Sequence, residues 1–306
     1  MTGALGHIGS ALIRHPKLRA GVDKITMVDN LQTQRYASLF NLPKDTNYKF
    51  IEGDVVAVVN DQILRDVDAV IHLAGTVDPV KNFLQPQNLK ENNLRITRHL
   101  ASLCSSNDVP IIFASSTSVY TSKDSVVDEH SLDLKPTGAY AQCKLEEESI
   151  FLETCKQSKF VIFRFGTIFG PSPGMRFQTA VSKFCWQSAC GIPIEIWRTA
   201  LDQVRPYLAI SDCSILLART VNDDFYPNCV INAATCNVTV QDVLDCIRAQ
   251  NLSPVITLTE SPAMNNLSYA VSTSLAESFG FSFSSSLSAG VTQTLHLIRG
   301  ITSNRL

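Results

Sequence analysis

Over the first half of the chain, short apolar runs alternate with longer stretches in which apolar residues recur every three or four positions. The runs are KITMVDN (24–30), KFIEGDV (49–55), DAVIHLAG (68–75), VPIIFASST (109–117) and FVIFRFGTIFG (160–170). They are rich in Val, Ile and Phe and lack strict alternation, the pattern of strands buried on both faces of a parallel sheet. The periodic stretches between them predict helices, most clearly at 86–104 and 137–157. Strand–helix alternation of this kind predicts an α/β fold with a doubly wound parallel sheet.

Beyond residue 167 the pattern changes. The segments 174–191, 211–221, 239–251 and 286–300 read as helices, and PIEIW (193–197) reads as a short strand. This predicts a doubly wound domain over 1–167 and a smaller mixed α/β lobe over 168–306, with some later segments returning to the first sheet.

Composition narrows the functional classes. The 306 residues are 45% hydrophobic and 18% charged, with a net charge of -2. That is globular composition, without the basic field that would collect nucleic acid or anionic lipid. No apolar run approaches the roughly 18 to 20 residues of a membrane span. The N-terminus lacks a charged leader followed by an apolar stretch, which predicts no secretory signal and a cytoplasmic location. Nine cysteines form no CxxC pair and six histidines are scattered, so the expectation is buried thiols and no metal site.

Residues 3–9 read Gly-Ala-Leu-Gly-His-Ile-Gly. Glycines at 3, 6 and 9 let the backbone turn tightly, approach a pyrophosphate and open a helix packed close to the sheet, its N-terminal N–H groups facing the phosphates. Asp29 closes the apolar run ITMV, 20 residues after Gly9. A carboxylate there accepts hydrogen bonds from a ribose 2′-hydroxyl and repels a 2′-phosphate, which predicts NAD rather than NADP. A loop of this kind follows a strand, yet Gly3 lies two residues from Met1. The expectation is that the first and most central strand is missing, about six to ten residues, leaving its neighbours about 9.6 Å apart with unpaired backbone facing a gap.

The run VPIIFA leads into Ser115-Ser116-Thr117-Ser118-Val119-Tyr120. Hydroxyls at the C-terminal end of a parallel strand face the ligand crevice. Tyr140 and Lys144, four apart, share one helix face. An ammonium beside a phenol stabilises the phenolate and lowers its pKa from about 10 toward neutrality, giving a general base for a substrate hydroxyl. Ser116, Tyr140 and Lys144 are the candidate catalytic residues.

With these motifs in place, the chain resembles the extended short-chain dehydrogenases/reductases of NAD-dependent epimerase/dehydratase type, from Thr2 to about Ile298. Asp29-Asn30-Leu31 is similar to the family's DNL, Gly53-Asp54-Val55 to its GD pair, and His72-Leu73-Ala74-Gly75 to its HLAA strand end. Asn92-Asn93-Leu94 resembles NNV, RFGTIFGP from Arg164 resembles RxxNVYGP, and Val204 to Asp212 resembles VRDYIHVDD. Asn232-Ala-Ala, the helix start at Val238-Thr239-Val240 and Leu287-Ser-Ala-Gly290 are similar to its late landmarks. The resemblance implies a Rossmann-type sheet and a small lobe that holds the nucleotide of a nucleoside-diphosphate sugar. It implies cofactor contacts from Gly3, Gly6, His7, Ile8 and Gly9, from Asp29, Asn30 and Leu31, and from Asp54 and Val55. It adds Leu73, Ala74, Gly75, Asn93 and Phe165, besides Tyr140 and Lys144. Toward the substrate it places Thr76, Asn93, Thr117, Thr167 and Arg205. A homodimer through the helices at 86–104 and 137–157 is a further family expectation.

The reaction follows from the residues after Ser116. Dehydratases of the family carry Asp-Glu there, and nucleotide-sugar decarboxylases carry a Glu two residues before the equivalent of Tyr120. Here Thr117 and Ser118 offer no carboxylate, and Ser-x-Ser/Thr-Val-Tyr resembles a UDP-glucose 4-epimerase-like enzyme. The implied activity is NAD-dependent epimerisation by transient oxidation at C4′, with Tyr140 as base, Ser116 on the reacting oxygen and Lys144 on the nicotinamide ribose. A reductase or dehydrogenase of the same family acting on another alcohol, or a non-catalytic NAD-binding protein, are the alternatives. Thr167 in place of the family Asn, Pro206 in place of Asp, Ile96 in place of Gly and Thr121 in place of Gly leave the sugar open. His7 reads as a packing residue or a cap on the cofactor pocket, and Trp186 and Trp197 as small-lobe core or, alternatively, as lining of a substrate cleft.

Overall fold

Five parallel strands form close to where the five apolar runs predict them, and a sixth, which no run predicts, joins them. In the computed structural model, which describes residues 1–77, 86–121, 126–131, 134–136, 138–260, 268–298 and 300, the sheet runs Asn47–Glu52, Lys24–Asp29, Val70–His72, Ile111–Ser116, Phe160–Phe165, Val230–Ala233. The last strand comes from beyond residue 167 and pairs Val230 with Ile162 in parallel register.

Between Lys24–Asp29 and Val70–His72, Met1 and Thr2 take the central position. Val28 N donates to Met1 O at 2.9 Å, Thr2 N to Ile71 O at 3.0 Å and Leu73 N to Thr2 O at 3.1 Å. Thr2 bridges Val28 on one side and His72 on the other. The expected gap is therefore closed at the end of the sheet where the glycine loop departs.

Alternation along the strands divides the core into two layers. Ile112, Val161 and Phe163 face one way, against Leu12, Leu18, Leu216 and Leu217 of the helices His7–Leu12, Pro16–Gly21 and Ile210–Asn222. Ile111, Phe113 and Ile162 face the other, against Ile96, Leu100 and Phe151 of the helices Pro86–Ser106 and Ala139–Thr154. Each fully buried Ile or Phe contributes about 1.5 to 3 kcal/mol, so the sheet is held from both sides, as a doubly wound fold requires.

The smaller lobe has its own core around Phe169, Phe184, Ile194, Tyr207, Leu244 and Val291. A three-stranded sheet (Thr167–Phe169, Arg205–Ala209, Cys236–Val238) and the helices Ala180–Ala189, Val240–Arg248 and Leu287–Ile298 enclose it. The helix predicted at 174–191 spans only Ala180–Ala189. The preceding segment is pinned to the glycine loop instead. Gly174 N donates to Ser10 Oγ at 2.8 Å, and a Cβ at Gly174 would lie 2.2 Å from Leu5 O. Trp197, expected in the core, is 51% exposed, whereas Trp186 packs on Phe177 with ring centroids 5.6 Å apart.

Candidate active site

A cleft of about 770 Å³ opens at the carboxyl ends of the parallel strands, where ligands of open α/β sheets bind. Its floor is the glycine loop. A Cβ on Gly3, whose φ is +64°, would sit 2.6 Å from Ala74 N, and one on Gly9 would sit 2.5 Å from Ala4 O. Both positions exclude any side chain, so the loop lies flat on the sheet and the helix starting at His7 packs hard against it. Gly6 is less crowded: a Cβ there would lie 3.3 Å from Gly3 O, a tight but not forbidden contact, and 3.8 Å from the Arg35 guanidinium. The cradle fits a dinucleotide pyrophosphate.

Asp29 ends its strand with both carboxylate oxygens directed back at the loop. Oδ2 accepts from Leu5 N and Oδ1 from Leu31 N, each at 3.0 Å. These bonds fix the carboxylate at the cleft wall and leave lone pairs for a ribose hydroxyl. Asp54 caps the short helix Val55–Val58 by accepting from Val56 N at 2.9 Å. It also takes a bidentate pair from Arg95 at 3.1 and 2.6 Å, and that hydrogen bonding holds its carboxyl below the usual range.

The catalytic candidates meet at the other end of the cleft. Ser116 ends its strand and caps the turn Thr117–Val119; its Oγ accepts from Ser118 N at 3.2 Å and Ser118 Oγ at 2.9 Å. Tyr140 lies in the first turn of Ala139–Thr154, uncapped by a side chain at Gly138. One turn on, buried Lys144 crosses 4.6 Å from the Phe113 ring centroid and 5.8 Å from that of Tyr140. Its Nζ donates to Ala114 O at 3.1 Å and lies 3.1 Å from Glu147 Oε2. Burial pulls the Lys144 pKa down, but the Glu147 carboxylate and the Tyr140 hydroxyl more than reverse it, and the net direction is up.

Behind these groups is a buried polar network. Glu148 accepts from Ser115 Oγ and from Arg164 Nε and Nη2, the last two at 3.0 and 2.7 Å. Arg164 Nη1 donates to Tyr120 Oη at 2.9 Å, which donates to Asn232 Oδ1 at 2.8 Å. The motif residues Tyr120, Arg164 and Asn232 thus tie three strand ends together rather than facing a ligand. Two cleft-lining histidines are held neutral by burial: His7, which bonds Gly170 O through Nε2 at 2.7 Å, is pushed down to about 4, and His72 to about 3.

Most predicted site residues line this one cleft: Gly3, Gly6, His7, Ile8 and Gly9; Asp29, Asn30, Asp54 and Val55; Leu73, Ala74, Gly75 and Thr76; Ser116, Tyr140, Lys144, Phe165 and Thr167. Four do not. Asn93 is buried behind the wall, where its side chain accepts from Thr76 N at 2.7 Å and donates to Thr76 O at 3.2 Å. Thr117 Oγ1 is turned to Phe165 O at 3.2 Å. Leu31 is buried with φ 53°. Arg205 stacks 5.4 Å from the Tyr269 ring centroid, away from the lining. Sequence reasoning missed Arg35 and Arg176, whose guanidinium groups reach the phosphate end and repel each other. Arg35 carries a visible signal, a basic residue just after the Asp29 strand end. Arg176 carries none, because its segment reads as helix.

A family model described as the NAD dependent epimerase/dehydratase family matches residues 1–234. Among curated relatives, a UDP-glucose 4-epimerase of Azospirillum brasilense is 27% identical over 69% of this chain and 64% of its own length. An uncharacterized UDP-glucose epimerase of Bacillus subtilis (strain 168), YtcB, is 28% identical over 70% of this chain and 69% of its own. The chain thus spans about two thirds of the curated relatives it matches. Among solved structures, the UDP-glucuronic acid 4-epimerase of Bacillus cereus in complex with UDP-glucuronic acid and NAD superposes with a TM-score of 0.82. It is 25% identical, with 97% of both chains covered.

Proposed function

The chain belongs to the NAD dependent epimerase/dehydratase family, and on that premise we propose that it is a nucleoside-diphosphate-sugar 4-epimerase with NAD as a retained cofactor. The observation that carries the reading is the convergence of Ser116, Tyr140 and Lys144 on one cleft with the glycine loop and Asp29, where Thr117 and Ser118 supply no carboxylate for elimination.

When bound, NAD supplies an acceptor for the substrate hydride and returns it without net redox change. Gly3, Gly6 and Gly9 would hold its pyrophosphate, Asp29 its adenosine ribose, and Leu73 to Gly75 would flank it along the strand end. Tyr140 takes the proton from the sugar 4′-hydroxyl and gives it back after the sugar turns. Ser116 Oγ already accepts from Ser118, which leaves its own proton to donate to the reacting oxygen. Thr76 and Thr167 line the sugar end, and the lobe over 168–306 would hold the nucleotide. In this reading the protein works in the cytoplasm as a homodimer through the helices Pro86–Ser106 and Ala139–Thr154.

Mass spectrometry of the nucleotide retained by gently purified protein, followed by a panel of UDP-hexoses and UDP-uronates, tests this. The expected result is bound NAD and interconversion of a C4′ epimer pair with no net NADH absorbance. Stoichiometric NADH formation would instead make the protein a dehydrogenase.

A further inference from the structure

Glu147 has no part in the chemistry above, yet it is fully buried beside the base. Its Oε2 lies 3.1 Å from Lys144 Nζ, and its Oε1 accepts from Thr97 Oγ1 at 2.9 Å. A carboxylate taken out of water needs a compensating charge, and Lys144 provides it. The ammonium is thereby committed on two sides, to Glu147 and to the Ala114 carbonyl. Seen from the Tyr140 hydroxyl, ammonium and carboxylate together form a dipole rather than a lone charge, and the pull on the phenol proton is correspondingly weaker.

We propose that Glu147 is a positioning residue that draws Lys144 back against the Ala114 carbonyl and offsets its charge, so that Tyr140 works as a base at a more alkaline pH than Lys144 alone would set. The proposal rests on Tyr140 being the base. The other ionisable groups near the pair are accounted for. His72, from the Val70–His72 strand, is held neutral by burial. Glu148, next on the same helix, is tied to Arg164 of the Phe160–Phe165 strand. Glu146 pairs with Lys90 of the Pro86–Ser106 helix at 2.6 Å. Cys143 is buried, and its thiol is pushed up to about 12. From the Ile111–Ser116 strand Lys144 meets the Phe113 ring and the Ala114 carbonyl, neither of which titrates. Glu147 is thus the carboxylate in contact with Lys144.

The test is a phenolate titration by ultraviolet difference absorbance, without substrate. Because the chain has seven tyrosines, each protein is read against its own Tyr140→Phe counterpart. Glu147→Gln keeps the shape and removes the charge: its amide oxygen can still accept from Lys144, while its NH2 group turns to Thr97 Oγ1, which then accepts. Its phenolate midpoint is expected to move acidward by about one pH unit, the low end of what an adjacent charge does. Glu147→Asp, one methylene shorter, is expected to move it in the same direction by less, and it decides the matter if the Gln variant does not fold. An unmoved midpoint in a folded variant would mean a purely structural role. An alkaline shift would mean that Glu147 keeps Lys144 protonated rather than offsetting it. Either result overturns the proposal. Failure to turn over any nucleotide sugar would remove the epimerase reading and leave this titration standing.

Discussion

Removing the Tyr140 hydroxyl takes away the proton acceptor and little else, because the ring stays in the first turn of its helix beside Lys144. Tyr140→Phe is therefore expected to retain NAD by equilibrium titration while losing turnover by about 10² to 10⁴, the usual worth of a positioned base. Turnover close to the parent's would discard Tyr140 as the base. Asp29 sets the second expectation at this scale. Its carboxylate is pinned by Leu5 N and Leu31 N and cannot swing away from a 2′-phosphate. Arg35 nearby softens the clash without removing it. NAD should bind at least about tenfold more tightly than NADP, each tenfold being about 1.4 kcal/mol, and equal dissociation constants would refute the assignment.

Between elements, the Glu148–Arg164 pair joins the Ala139–Thr154 helix to the sheet, with both side chains almost wholly out of water. Breaking such a pair from one side costs about 3 to 5 kcal/mol, because the remaining charge is stranded, whereas replacing both partners by apolar residues is often close to neutral. Arg164→Met should thus lower the melting temperature far more than the double change Arg164→Met/Glu148→Met, and melting curves that add the single effects would contradict this coupling. The same pair marks how far the sequence could be read. Strands and the two long helices were legible because burial on both faces and a 3.6-residue period leave patterns of their own. The Gly3–Gly9 loop, Asp29, Ser116, Tyr140 and Lys144 were legible because their residue types and spacings form motifs of their own, and all of them line one cleft. Arg164 and Tyr120 carried motif signals but gave no hint that they point into a polar core. Glu147 stands in a row of three acids, Glu146 to Glu148, and nothing in the sequence sets it apart from its neighbours. The start of the Ala180–Ala189 helix was hidden because Gly174 answers to a contact with Leu5 and Ser10 far away in the chain. Met1 and Thr2 were too few to read as a strand, yet two neighbours supply their partners.

At the scale of the molecule, the cleft holds two histidines that the folded protein keeps uncharged. His7 is pushed from 6.5 down to about 4 and His72 from 6.5 down to about 3, in both cases by burial first. His72 has the stronger reason: it packs against the Phe113–Phe151 pair with ring centroids 5.5 and 6.3 Å away, and only its Nδ1 finds a partner, Thr2 Oγ1 at 2.9 Å. In the unfolded chain both take up a proton near pH 6.5, whereas in the folded one they stay neutral well below that. The unfolded state therefore binds more protons in this window, and stability falls as the pH drops. It is fully present above about 6.5 and is lost progressively toward 4 for His7 and 3 for His72. At about 1.4 kcal/mol per pKa unit, these depressions are worth about 3 kcal/mol for His7 and about 5 kcal/mol for His72 when fully expressed, against a whole-domain stability of about 5 to 15 kcal/mol. The melting temperature should accordingly drop steeply on acidification from about pH 7 to pH 4.5, before most carboxylates titrate. His72→Phe, which suits its aromatic neighbours, should flatten that slope. Saturating NAD should raise the whole curve, since a ligand that binds only the folded state stabilises it by mass action. A wild-type and a His72→Phe curve that fall in parallel would show that this histidine carries none of the acid sensitivity.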